Sequence, residues 1–215
     1  VDKVTYADDT TAAVPGAALS STRRYHAATG NQTAGYFGGG EVNDNNTTSV
    51  DKLSYADDTT AAVPGANLSV ARWGLAASSA RANGLPNSPY PVDAPSSPAI
   101  RFSDGAANIP NTGYFGGGIG PSASSVMDKV TYSTDITAAV PGANLSVERY
   151  GLAATGNSTH GYFGGGSSVT TTDKVTYASD TTAAVPSANL SSARYGVAAT
   201  GNSTHGYFGG GRPGP

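Results

Sequence analysis

The sequence predicts an all-β protein in which near-identical four-stranded sheets pack face to face about a common centre. Three observations carry this. The phrase GYFGGG is written four times, at residues 35–40, 113–118, 161–166 and 206–211. The phrase DKVTY, or DKLSY, begins at Asp2, Asp51, Asp128 and Asp173, spacings of 49, 77 and 45 residues, and periods of about 40–50 residues belong to solenoids and propellers. Between these phrases lie four short apolar stretches divided by turn residues, and one such sheet cannot bury both faces without copies of itself.

Within a unit the elements follow in order. YGLAATG has almost no side-chain bulk, as an innermost strand crowded around an axis requires. GYFGGG makes the second strand, its glycines allowing close approach and positive φ. DKVTY alternates, so that Val4 and Tyr6 share a face. ADDTT, STDIT and ASDTT supply Asp and Thr side chains for a turn that bonds its own backbone. TAAVPGANL carries a proline that suits only an edge strand, and is expected outermost. Radial stacking of such sheets is a β-propeller.

An arginine before the inner strand (Arg24, Arg72, Arg149, Arg194), each followed by an aromatic, and a glycine pair ending the second strand (Gly38 and Gly39, Gly116 and Gly117, Gly164 and Gly165, Gly209 and Gly210) recur with the unit. With Tyr177 in the third strand, these residues resemble the kelch repeat. The resemblance covers nearly the whole chain outside residues 78–111, and departs from the family where its fourth-strand tryptophan is replaced by Val and Leu. It implies a kelch-like β-propeller. The wording of the repeat also resembles uncharacterised repeat proteins of marine phages, cyanophages especially.

Residues 1–215 are expected to form one propeller domain. The chain opens on a third strand and closes on a second, so three complete blades lie between two halves. Joining residues 206–211 to residues 1–6 gives four four-stranded blades, the terminal one closed by C-terminal inner strands plus N-terminal outer strands, with no exposed edge. The alternative is a piece of a longer array, since GGGRPGP resembles GGGIGPSASSVMDKV cut where another third strand begins. Residues 78–111 interrupt the second inner hairpin with 29 extra residues and six prolines. This insertion is either a surface excursion or a recognition loop bearing Tyr90, Arg101 and Phe102.

Counting glycine, about half of the chain is apolar, as in globular domains. Charged residues are 13% and the formal net charge is −3, which offers no footprint for nucleic acid. No apolar run approaches the roughly 18 residues of a membrane span. The chain has no cysteine, which removes thiolate chemistry, including the Tyr–Cys crosslink that resemblance to copper-dependent oxidases of this type implies. No metal, cofactor or catalytic residue is expected. His26, His160 and His205 follow the repeat, and the Asp pairs read as turn-makers. The four arginines and Asp2, Asp51, Asp128 and Asp173 supply opposite charges once per blade, read as internal ion pairs, which between adjacent blades would set register, or, alternatively, as a ring of arginines on one rim. The sequons at Asn31, Asn67, Asn144, Asn157 and Asn202 are accounted for by recurrence.

The function these features imply is a non-catalytic structural or adhesion module, on a virion (tail or fibre) or extracellular at a cell surface, presenting loops to glycan or protein. Two alternatives stand beside it. One is a self-associating filament or capsid-decoration subunit whose half-blades pair between copies. The other is a carbohydrate-active propeller enzyme using Asp93 and Asp104.

Overall fold

The computed structural model describes residues 1–80, 111–167 and 169–213, and it is all-β. Three four-stranded antiparallel sheets follow one another along the chain. The first comprises β3 (Ala27–Gly30), β4 (Ala34–Gly38), β7 (Val50–Ser54) and β8 (Thr59–Ala62). The hairpin β5 (Glu41–Val42) and β6 (Asn45–Asn46) projects between β4 and β7. The second sheet has β9 (Ala76–Ser79), β10 (Thr112–Gly116), β11 (Met127–Thr131) and β12 (Ile136–Ala139), and the third β13 (Ala153–Gly156), β14 (His160–Gly164), β15 (Thr172–Thr176) and β16 (Thr181–Ala184). The ends are two-stranded: β1 (Asp2–Thr5) with β2 (Thr10–Ala13), and β17 (Tyr195–Gly201) with β18 (Gly206–Arg212). Among the described residues no helix is long and apolar enough to cross a membrane.

Each strand sits where the repeat predicts it, with two corrections. The proline lies outside the fourth strand: TTAA forms the edge, and Pro15, Pro64, Pro141 and Pro186 each open one turn of 3-10 helix beyond it. Fixed φ and a missing N–H favour such a first helical position over a ladder. The insertion also begins later than expected, because Ser78 and Ser79 complete β9 and pair with Tyr114 and Gly113. The predicted Asp–Thr turn is present. Asp57 Oδ1 accepts from the Thr59 amide and hydroxyl, and the next residue, Asp58, takes φ 54°.

The core lies between sheets. The Phe115 ring packs on Gly38, the Phe163 ring on Gly116 and the Phe208 ring on Gly164; a Cβ added at any of these glycines would meet a ring carbon at 2.9–3.0 Å. This is the physical reason for the repeated Phe-Gly. Beside it, Tyr36 stacks on Tyr132 and Tyr114 on Tyr177, both with centroids 5.0 Å apart. The Tyr36 and Tyr114 hydroxyls donate to Asp135 and Asp180, the turn aspartates of the following sheet. Those carboxylates also accept from Lys52 and Lys129. Burial opposes ionisation of Asp135, but the bonds from Lys52 and Tyr36 outweigh it and hold the carboxyl below its usual range.

β3 packs on β9, β9 on β13 and β13 on β17. A chain of backbone bonds links the sheets there, from Gly74 N–H to Tyr25 O at 2.9 Å, Gly151 N–H to Gly74 O at 2.6 Å and Gly196 N–H to Gly151 O at 2.8 Å. Ala28, Ala77, Ala154 and Ala199, with Thr29, Ser78, Thr155 and Thr200, line one cavity of about 840 Å³, as do Val1 to Val4 and Tyr6. The expected terminal sheet is not formed: among the described residues no ladder joins β18 to β1, and each half remains two-stranded. The two halves line the same cavity, Val1 to Val4 and Tyr6 from one and Ala199 and Thr200 from the other.

Candidate functional site

The recurring Arg and Asp meet inside each complete sheet. Arg23 reaches Asp51 at 2.8 Å, and Arg72–Asp128 and Arg149–Asp173 each close at 2.9 Å, with all six side chains fully buried. The same Asp oxygens accept from the amides of Ser20, Ser69 and Ser146, and the guanidinium groups of Arg72 and Arg149 also donate to the Phe115 and Phe163 carbonyls. Burial pulls the pKa of Arg72 and Arg149 down, and the paired carboxylates oppose it. These pairs bind the inner edge of a sheet to its own third strand. They neither link adjacent sheets nor form a rim of arginines; the link between sheets is Lys to turn Asp.

Arg24 is not the equivalent of Arg72. The first unit reads RRYHAATG where the third reads RYGLAATG, of equal length, with Arg24 in the place of the aromatic and Tyr25 in the place of the glycine. Aligning on the Arg–aromatic pair therefore shifts it by one, and Arg23 takes the buried place. Arg24 stands in solvent, bonded to Glu41 at 2.7 Å and Asp44 at 2.6 Å, and the Glu41 bond raises its pKa. Tyr25 occupies the glycine position, with φ 56° against 63°, 67° and 68° at Gly74, Gly151 and Gly196.

That shift completes a row. At the mouth of the inner strands, Tyr25 lies 5.1 Å from Trp73, Trp73 5.4 Å from Tyr150, and Tyr150 5.3 Å from Tyr195, centroid to centroid. Arg24 covers the Tyr25 ring at 5.5 Å and Arg212 the Tyr195 ring at 5.0 Å, so each end of the row has a cation. Tyr25 is exposed and the other three rings are partly so. Two of the aromatics stand over the glycine of the preceding unit: a Cβ on Gly151 would meet the Tyr195 ring at 2.4 Å, and one on Gly74 the Tyr150 ring at 3.7 Å. The row offers rings, phenol hydroxyls and two guanidinium groups on one surface, the chemistry that stacks on sugar faces and bonds their hydroxyls. The Arg–aromatic pair signals it in the sequence, but continuity across four sheets depends on their stacking.

Tyr90, Arg101 and Phe102, and the carboxylates Asp93 and Asp104, lie outside the described residues. Asp2 is exposed and Arg194 half-buried, without the ion pair of their equivalents. Gly38, Gly39, Gly116, Gly117, Gly164 and Gly165 are closely covered, whereas Gly209 and Gly210 have no atom within 4 Å of an added Cβ. His160 and His205 each bond the hydroxyl of the preceding threonine. The sequon asparagines work in turns: Asn157 Oδ1 accepts from the Thr159 amide and hydroxyl and the His160 amide, and Asn144 Oδ1 accepts from the Met127 amide.

No protein-family model and no curated protein matches this chain.

Proposed function

We propose that the chain is a non-catalytic binding module on a kelch-like β-propeller scaffold, displayed on a virion or cell surface and recognising glycan or protein. The cavity shared by four inner strands and the recurrence of the same contacts between successive sheets support the scaffold. One observation carries the function: the cation-capped row Tyr25, Trp73, Tyr150 and Tyr195, which grows with the number of sheets and gives an extended ligand a matching series of rings.

Trp73 is the sole tryptophan of the chain, so its emission reports on the row. A glycan and surface-protein array identifies ligands, and titration of each hit is expected to shift Trp73 fluorescence, with Trp73→Ala weakening binding roughly tenfold. An array without hits, or hits that Trp73→Ala binds as well as the parent, overturns the reading.

A further inference from the structure

The two ends of the chain carry the two halves of the contact set that joins every pair of sheets. At an internal junction a Phe ring covers a Gly of the preceding sheet, a second-strand Tyr stacks on the third-strand Tyr of the following sheet, and a Lys reaches its turn Asp. Within each complete sheet a buried Arg meets the third-strand Asp.

The C-terminal end holds the first half of each pairing. Gly209 lies open, Tyr207 is 59% exposed, and among the described residues Arg194 bonds neutral oxygens, of Ser192 and Gly210. Tyr162 and Lys174 are partly exposed on the third sheet, with no following turn Asp. The N-terminal end holds the second half. Asp2 and Asp9 are exposed, Tyr6 is 89% exposed and Tyr55 47%, and Phe37 is only half-buried where Phe115 and Phe163 are fully covered. Among the described residues β18 pairs with β17 alone and β1 with β2 alone.

We propose that β18 of one copy pairs with β1 of a second copy, completing a four-stranded sheet between chains. The internal register places Phe163 opposite Asp173 and Tyr162 opposite Lys174; the intermolecular ladder then sets Phe208 opposite Asp2 and Tyr207 opposite Lys3. Arg194 takes Asp2 as its buried partner, Lys174 and Tyr162 take Asp9 and Tyr6, and Phe37 covers Gly209. Among the described residues no ladder joins the two ends of one chain, so each edge is open to a second copy. The contact is head-to-tail, so it closes a ring or propagates as its rotation dictates. It stands independently of the aromatic row.

The 215-residue chain is examined by sedimentation velocity and native mass spectrometry across concentration. Concentration-dependent dimers or longer species are expected. Asp2→Arg and Arg194→Glu are each expected to weaken association roughly thirtyfold or more, while an equimolar mixture of the two variants regains it, because each supplies the charge the other needs. Gly209→Ala tests the same interface without a charge change: its melting temperature stays at the parent value, and association falls roughly tenfold as the new methyl meets Phe37. A monodisperse monomer at every concentration overturns the proposal, as does association indifferent to Gly209→Ala and to Asp2→Arg.

Discussion

The middle sheet, β9 to β12, and the half-sheets at the ends are written in nearly the same words. In the middle sheet, packed on both sides, Tyr114 and Phe115 are fully buried and Arg72 sits against Asp128 with no solvent contact. In β18 the same Tyr-Phe phrase leaves Tyr207 59% exposed and Gly209 open. The phrase encodes the capacity to be buried; a neighbouring sheet supplies the burial. Stability in such an array is a sum over units and the contacts between them, so matched substitutions should cost most inside and least at the ends.

The largest contrast is expected at the buried arginines. Arg149→Ala strands Asp173 without its cation in a fully buried site and should cost about 3–5 kcal/mol; Arg194→Ala, which leaves no buried carboxylate behind, should stay within about 0.5 kcal/mol. Denaturant melts of the two variants beside the parent measure both, and equal losses would break the comparison. Next come the glycines beneath the phenylalanines. Gly116→Ala places a methyl 2.9 Å from the Phe163 ring and 2.7 Å from the Met127 methyl, an overpacking expected to cost about 1–3 kcal/mol. Gly209→Ala should leave thermal stability at the parent value.

The smallest effect concerns pH and sharpens the comparison within the first sheet. His26 stands where the second and third sheets place Leu75 and Leu152, both 5% exposed. Burial, and secondarily the nearby Arg23, lower its pKa from the ordinary 6.5. A histidine so depressed contributes stability that is fully present above 6.5 and is lost as pH falls through its folded value. His26→Leu should therefore be more stable than the parent, by a margin that widens as pH drops below 6.5 and then levels off. A margin constant between pH 8 and pH 5 would remove histidine from the account.

The repeat made the strands, their order in a sheet and the Asp–Thr turn legible, because each rests on local chemistry: alternation in DKVTY, small residues in LAATG, glycines after the second strand. Four features escaped. Arg23 was hidden because the visible Arg24–Tyr25 pair stands one position later than the Arg–aromatic pairs of the other units. Internal pairing of Arg with Asp was legible, but its place within a sheet and not between sheets was not, since charge spacing along a chain does not say which edges adjoin. The Lys-to-Asp and Tyr-to-Asp links between sheets combine residues over 50 positions apart, and no local pattern records such a pairing. The aromatic row escaped for the same reason, and the closed terminal sheet was expected from complementarity of the two ends alone, which does not say that they pair within one chain.

The stem of the second inner hairpin has a practical corollary. Ala76 to Ser79 pair with Gly116 to Gly113 in the same register that holds the third hairpin, and Ala80 N–H reaches Thr112 O as Asn157 N–H reaches His160 O, although 31 residues separate positions 80 and 112 here and two separate Asn157 from His160 there. A ladder that holds its shape regardless of the length it carries is a socket: exchanging that excursion for a foreign peptide would put the guest at a fixed position on the scaffold while the surrounding packing goes undisturbed.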